Sequence, residues 1–163
     1  FSGSWGYYRD ENTWKTNHEL ISMIIETTSK GGNLLLNIGP TARGSFDYRA
    51  ENALEKIGTW MKANGRSIYE CTQAPESWKA PKGSMITYNP KKNRLYIHIT
   101  DYKTGWLKLD NAVGKIKYAQ FLHDNSEIKF QNHWDSKYPN DVVFSKPNIK
   151  PNIEIPVIEI FLN

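Results

Sequence analysis

The run Asn33-Leu34-Leu35-Leu36-Asn37-Ile38-Gly39-Pro40 is nearly continuous in apolar residues, too short for a helix, and bounded by turn residues at both ends. A run of this kind reads as a strand buried on both faces, as strands of parallel sheets are. Its flanks are helical. Upstream, Thr16 and Glu19 have the S/T-x-x-E spacing of a capping box, in which the hydroxyl and the carboxylate satisfy otherwise unpaired first-turn N–H groups. Leu20, Ile21, Ile24, Ile25 and Thr28 then share one face, and Gly31-Gly32 ends the helix. Downstream, Asp47 is placed to cap a helix from about Tyr48 to Asn64, with Leu54, Ile57 and Met61 on its buried face and Gly65 as its stop. A single strand between two amphipathic helices leaves both its edges and its apolar faces in water. Residues 1–70 are therefore expected to be the closing piece of a larger α/β sheet or barrel; a barrel would need ~200 residues or more.

From about Pro75 the period changes. Short alternating segments follow, at Ser84–Tyr88, Arg94–Thr100, Trp106–Leu109, Ile116–Leu122, Glu127–Gln131, Val142–Ser145 and Ile153–Leu162, separated by turns such as Asn89-Pro90 and Lys103-Thr104-Gly105. This many short strands describes an antiparallel sandwich or small barrel. Pro156 inside the last run suggests an edge strand or a bulge, because proline cannot donate to a ladder. The expected division is an α/β segment over residues 1–72 and a β-sandwich over 73–163, with Pro75 and Pro81 in the stretch between.

Charge narrows the class of partner. The net charge is +4. Lys and Arg balance Asp and Glu up to residue 72, eight against eight, and exceed them afterwards, thirteen to nine. Nucleic-acid binding would need that excess in one stripe. Here the lysines are spread through strand-like segments, as on a solvated sheet face. Cys71 is the single cysteine, so no disulfide forms within the chain and the compartment cannot be read from it. No apolar run approaches the ~20 residues of a membrane-spanning helix. The chain opens Phe-Ser-Gly-Ser, without an initiating methionine or a signal-peptide pattern, and reads as a fragment whose targeting information lies upstream.

Three motifs in order, Ser4-Trp5-Gly6-Tyr7-Tyr8, then Ser29-Lys30-Gly31-Gly32-Asn33-Leu34-Leu35-Leu36-Asn37-Ile38-Gly39-Pro40, then Gly58-Thr59-Trp60-Met61 with Asn64-Gly65 and Ile68-Tyr69, resemble the α-L-fucosidases of glycoside hydrolase family 29. The resemblance is close over residues 1–70 and extends beyond them only as a general plan. It implies the end of a catalytic (β/α)8-like barrel followed by a C-terminal β-sandwich. It also implies a retaining hydrolase that releases terminal α-L-fucose from glycans, secreted, periplasmic or lysosomal, with no cofactor. Its partners would be a fucosylated glycan and the N-terminal barrel of the same protein, not nucleic acid or membrane. Arg43 and Phe46, in the turn after the strand run, depart from the family's usual residues.

In that family the nucleophile is an Asp and the acid/base a Glu, both on earlier barrel segments, and neither has a matching position here. This chain alone is expected to be inactive. The resemblance does carry over the aromatic residue of the first motif, Trp5, as part of the apolar wall beside the fucose ring and its methyl group. Without the resemblance Trp5 reads as core. A tryptophan face suits a 6-deoxy sugar, because it rewards a methyl and leaves a hydroxyl unpaired. Asn37, at the end of the strand run, either orients a neighbouring residue or satisfies backbone. Asp10 and Glu11 are the only carboxylate pair near that end, but adjacent residues on a strand point to opposite faces, which suits them poorly to flanking one glycosidic bond. His18, His98, His123 and His133 lack metal-ligand spacing. Trp78, Trp106 and Trp134 read as sandwich core rather than as sugar platforms. The alternative function is a non-catalytic carbohydrate-binding or structural sandwich module.

Overall fold

The computed structural model describes all 163 residues: two helices, α1 (Asn17–Ser29) and α2 (Tyr48–Asn64), and then seven strands. These are β1 (Ser84–Asn89), β2 (Arg94–Ile99), β3 (Leu107–Leu109), β4 (Ile116–Phe121), β5 (Lys129–Asn132), β6 (Val142–Ser145) and β7 (Val157–Leu162). Both helices start where their caps place them. The Thr16 hydroxyl accepts from the Glu19 N–H, and the Glu19 carboxylate accepts in return from the Thr16 N–H at 2.7 Å. Asp47 accepts from the Arg49 N–H at 2.9 Å. The face of α2 is rotated from the expected one: Ala50, Ala53 and Trp60 are buried, Ile57 and Met61 only partly, and Leu54 is exposed. Gly65 has φ −57° and leads into a 3-10 turn over Gly65–Ser67, so it does not serve as a left-handed stop. A Cβ there would lie 2.9 Å from the exposed Tyr69 ring, which would have to shift.

The strands form two antiparallel sheets, β1-β2-β7-β4 and β3-β6-β5. Leu95, Ile97 and Ile99 of β2, Ile158 and Ile160 of β7, and Ala119 and Phe121 of β4 face the second sheet, where Leu107, Leu109, Val142 and Phe144 meet them. Pro156 lies just before β7, and β7 is a central strand rather than an edge. The missing N–H of the proline costs no ladder bond, because the pairing of β7 with β2 begins at Val157, opposite His98, and the Pro156 carbonyl accepts from the Ile99 N–H at 2.9 Å. The bulge lies instead in β4, between Ile116 and Tyr118.

The first sheet is covered on its other face too. Ile21 and Ile25 of α1 and Trp60 of α2 pack with Tyr96, Leu122, Ile155 and Val157, and the Trp60 indole N–H donates to the Ile155 carbonyl at 2.9 Å. Several of the polar residues on that face are paired within it, although His98 Nδ1 has no partner. Thr87 donates to the Ser67 carbonyl at 2.7 Å and lies 3.0 Å from His98 Nε2. With the threonine proton so committed, His98 carries its own on Nε2 and is neutral. Buried Glu159 takes Gln120, Tyr96 and Arg66 as donors.

The expected strand over residues 33–40 is not formed: these residues carry no regular secondary structure. No other strand of these 163 residues runs beside it, and a strand has no ladder without a neighbour. Leu35 is 93% exposed.

Candidate functional site

The first and second motifs, some thirty residues apart in sequence, cross each other. Gly39 passes so close to Gly6 and Tyr7 that a Cβ would sit 2.3 Å from the Tyr7 nitrogen; only glycine permits that crossing. Asn37 fixes it from the side. Its amide donates to the Trp5 carbonyl at 2.5 Å, and its own carbonyl accepts from the Phe1 amino group at 2.9 Å. Phe1 is buried with Leu20 and Ala53, against Trp14, Leu36 and Ile38. The backbone of Trp5 is thus tied down at the end of the apolar run while its indole stands 89% exposed.

The neighbouring acids are engaged elsewhere. Asp10 forms an exposed ion pair with Arg9 at 2.8 Å, which holds its carboxyl below the usual range. Glu11 accepts from the Thr13 N–H and hydroxyl at 2.8 and 2.5 Å, and these bonds bring its pKa down to about 2. A carboxylate so committed is a poor proton donor near neutral pH. Residues 9–11 are held by Arg49 at the start of α2. Its guanidinium donates to the carbonyls of Glu11 (3.0 Å) and Arg9 (3.3 Å), pairs with Asp47 at 2.8 Å, and lies over the Trp14 ring at 4.8 Å. Sequence reasoning did not single out Arg49, and only its nearness to the Asp47 cap hinted at it.

The histidines are dispersed. His18 faces Glu154 at 3.4 Å, His98 lies under α2, and His123 and His133 sit in the sandwich. No three His, Cys, Asp or Glu side chains converge as metal ligands would. Trp78 packs half-buried against the sandwich core, whereas Trp106 and Trp134 stand on the surface, contrary to the core role expected of them.

The model of the family described as alpha-L-fucosidase matches residues 1–66, which contain both crossing motifs and α2. Residues 1–66 are thus similar to the α-L-fucosidase family. The human plasma alpha-L-fucosidase is 38% identical over 159 residues, and the rat plasma alpha-L-fucosidase 32%; each alignment takes in 90% of this chain and 32% of the relative. The chain thus spans about a third of the length of these curated relatives. Among solved structures, the alpha-L-fucosidase isoenzyme 1 of Paenibacillus thiaminolyticus superposes with a TM-score of 0.88 at 35% identity, over 98% of this chain and 37% of that one. A GH29 alpha-L-fucosidase of Bacteroides thetaiotaomicron, solved as a trapped covalent intermediate, gives 0.81 at 24% identity over 98% and 36%, a likeness that carries the fold. Helices and sandwich together therefore have the fold of a C-terminal portion of α-L-fucosidases.

Proposed function

We propose that this chain is part of a retaining α-L-fucosidase that removes terminal α-L-fucose from glycans outside the cytosol. Residues 1–72 complete its catalytic (β/α)8-like barrel, and 73–163 form its C-terminal sandwich. The observation that carries this reading is the bare apolar face on the family segment. Leu34, Leu35, Phe46, Tyr48 and Leu54 are all exposed, and exposed apolar side chains in this number mark an interaction surface. The preceding strands and helices of the barrel are its occupant, since they would supply the ladder that residues 33–38 lack.

In this assembly the reacting carboxylates lie outside the 163 residues. What the chain supplies is position. Asn37 and Gly39 hold the Trp5 backbone at the C-terminal end of the last strand, the end where barrel active sites form. The indole then presents an apolar wall to the methyl group of fucose. A sugar with a hydroxyl at that carbon would leave the hydroxyl without a partner.

The test is made in the protein that carries both parts. Trp5→Ala should lower the preference for an aryl α-L-fucoside over the matching L-galactoside by about 1–3 kcal/mol, read as the ratio of kcat/KM values. A constant ratio with a fallen Tm would place Trp5 in packing instead. The isolated chain should not turn over the fucoside. Turnover abolished by Asp10→Asn or Glu11→Gln would overturn the assignment of the chemistry to residues elsewhere.

A further inference from the structure

The outer face of the three-stranded sheet carries an aromatic platform that the fucosidase reading does not use. Strand register places Lys129 opposite Ser145, and Lys108 and Gln131 opposite Val143. These side chains share the outer face, because Leu107, Phe130 and Phe144 point into the core. Trp106, immediately before β3, follows the same alternation. It is 51% exposed, and Trp134, on the β5–β6 connection, is 61% exposed. The two indoles meet edge to face with centroids 5.5 Å apart.

The pair is braced from behind. The His133 ring stacks on Trp134 at 4.7 Å and is fixed in turn by the Asp135 N–H, which donates to its Nδ1 at 3.0 Å. Tyr138 leans on His133 at 4.8 Å. Lys108, locked between Asp110 and Asp141, lies over the Tyr138 ring. Such an arrangement orders large aromatic rings without burying them, and sets them at low entropic cost for a flat ligand.

A groove opens on each side of Trp106. One, of about 360 Å³, runs along Lys79, Pro81 and Lys82; the other, of about 180 Å³, is bordered by Lys129, Gln131 and Ser145. Lys79, Lys82 and Lys129 are exposed, and none of their ammonium groups makes a hydrogen bond or ion pair with the rest of the chain, unlike that of Lys108 between them. Uncommitted cations in grooves beside an exposed indole complement a ligand that is flat and apolar on one face and anionic at its edges.

We propose that Trp106 and Trp134 form a glycan-binding site, separate from the Trp5 region, for acidic oligosaccharides bearing sulfate groups. A pyranose ring lays its C–H face on the Trp106 indole, and sulfates on either side meet Lys79 and Lys82 in one groove and Lys129 in the other. Gln131 and Ser145 are within the second groove to hydrogen-bond ring hydroxyls.

The experiment titrates the 163-residue chain, its fold checked by circular dichroism, with a sulfated galactan tetrasaccharide and the same tetrasaccharide desulfated, following tryptophan fluorescence and calorimetry. The sulfated sugar should bind roughly tenfold more tightly than the neutral one at low salt, with the gap narrowing as salt screens the lysines. Trp106→Ala should weaken sulfated-sugar binding by roughly tenfold or more, while Trp106→Tyr, which keeps an aromatic face, should retain most of it. Lys79→Gln with Lys82→Gln and Lys129→Gln should erase the preference for sulfate. Undiminished binding by folded Trp106→Ala would reduce the effect to diffuse attraction and overturn the site. Should Trp106→Ala not fold, equal binding of both sugars by the parent chain, or unaltered preference in the lysine variant, overturns it as well.

Discussion

The two regions of the chain reverse the usual relation between polarity and burial. In the family segment the most apolar run of the sequence, Leu34-Leu35-Leu36, lies largely at the surface, and Trp5 and Tyr48 also stand in solvent. In the four-stranded sheet the reverse holds: Thr87, His98 and Glu159 are buried. The difference lies in which backbone is alongside. Strands β2 and β7 have neighbours on both edges and layers on both faces, so Thr87, Glu159 and His98 Nε2 are enclosed and still find partners. Residues 33–38 have helices on one side and no ladder at all. Apolar character records what a segment is meant to meet, and burial records what it has met.

The contact between the regions should be the costliest to remove. Trp60→Ala deletes a buried ring and its hydrogen bond to Ile155, and should destabilise the chain by about 3–5 kcal/mol in urea unfolding. If helices and sandwich behaved as separate units, only a helical phase would respond. A single transition moving to lower urea is the expected result.

His98 offers a test through pH. Complete burial holds its pKa down to about 3 from 6.5, so below pH 6.5 the unfolded chain takes up a proton that the folded chain refuses. The stability tied to its neutral form is complete above pH 6.5 and is lost as pH falls towards 3, by up to about 1.4 kcal/mol per pH unit. Unfolding free energies measured at pH 7, 6 and 5 should show this slope, and His98→Gln should flatten it. Equal slopes would mean that the pocket opens to water.

The capping box gives a smaller and local effect. Thr16→Ala should cost about 1 kcal/mol, lowering the midpoint in urea without altering the slope of the transition. Smallest of all is Leu35→Asp, expected within about 0.5 kcal/mol in this chain because the side chain is in water. In a protein holding the rest of the barrel the same substitution should be severe, and equal effects in the two settings would remove the case for a docking face.

Much of this was legible in the sequence. The caps Thr16 and Asp47 set both helix starts to the residue, and each of the seven strands lies within or nearly within the segment its alternation marks. The failures have physical causes. Period alone points to Leu54, yet the small residues Ala50 and Ala53 are the ones that α2 buries. Pro156 reads as an edge signal in the sequence because the alternation does not show that the ladder of β7 begins one residue later, at Val157. The pairing of Trp5 with Asn37 was invisible because a backbone crossing at Gly39 has no periodic signature. Arg49 escaped because a cation near a helix start contributes little by charge alone, and its use lies in reaching carbonyls forty residues back.

A sheet enclosed on both faces also sets where solvent reaches the backbone. The amides of β2 and β7, paired on both edges beneath two layers, can exchange their hydrogens only when most of the chain opens. The slowest-exchanging core therefore lies beyond residue 66, outside the segment by which the family is recognised. In this molecule the part that carries the lineage and the part that sets the lifetime of the folded state are different stretches of chain.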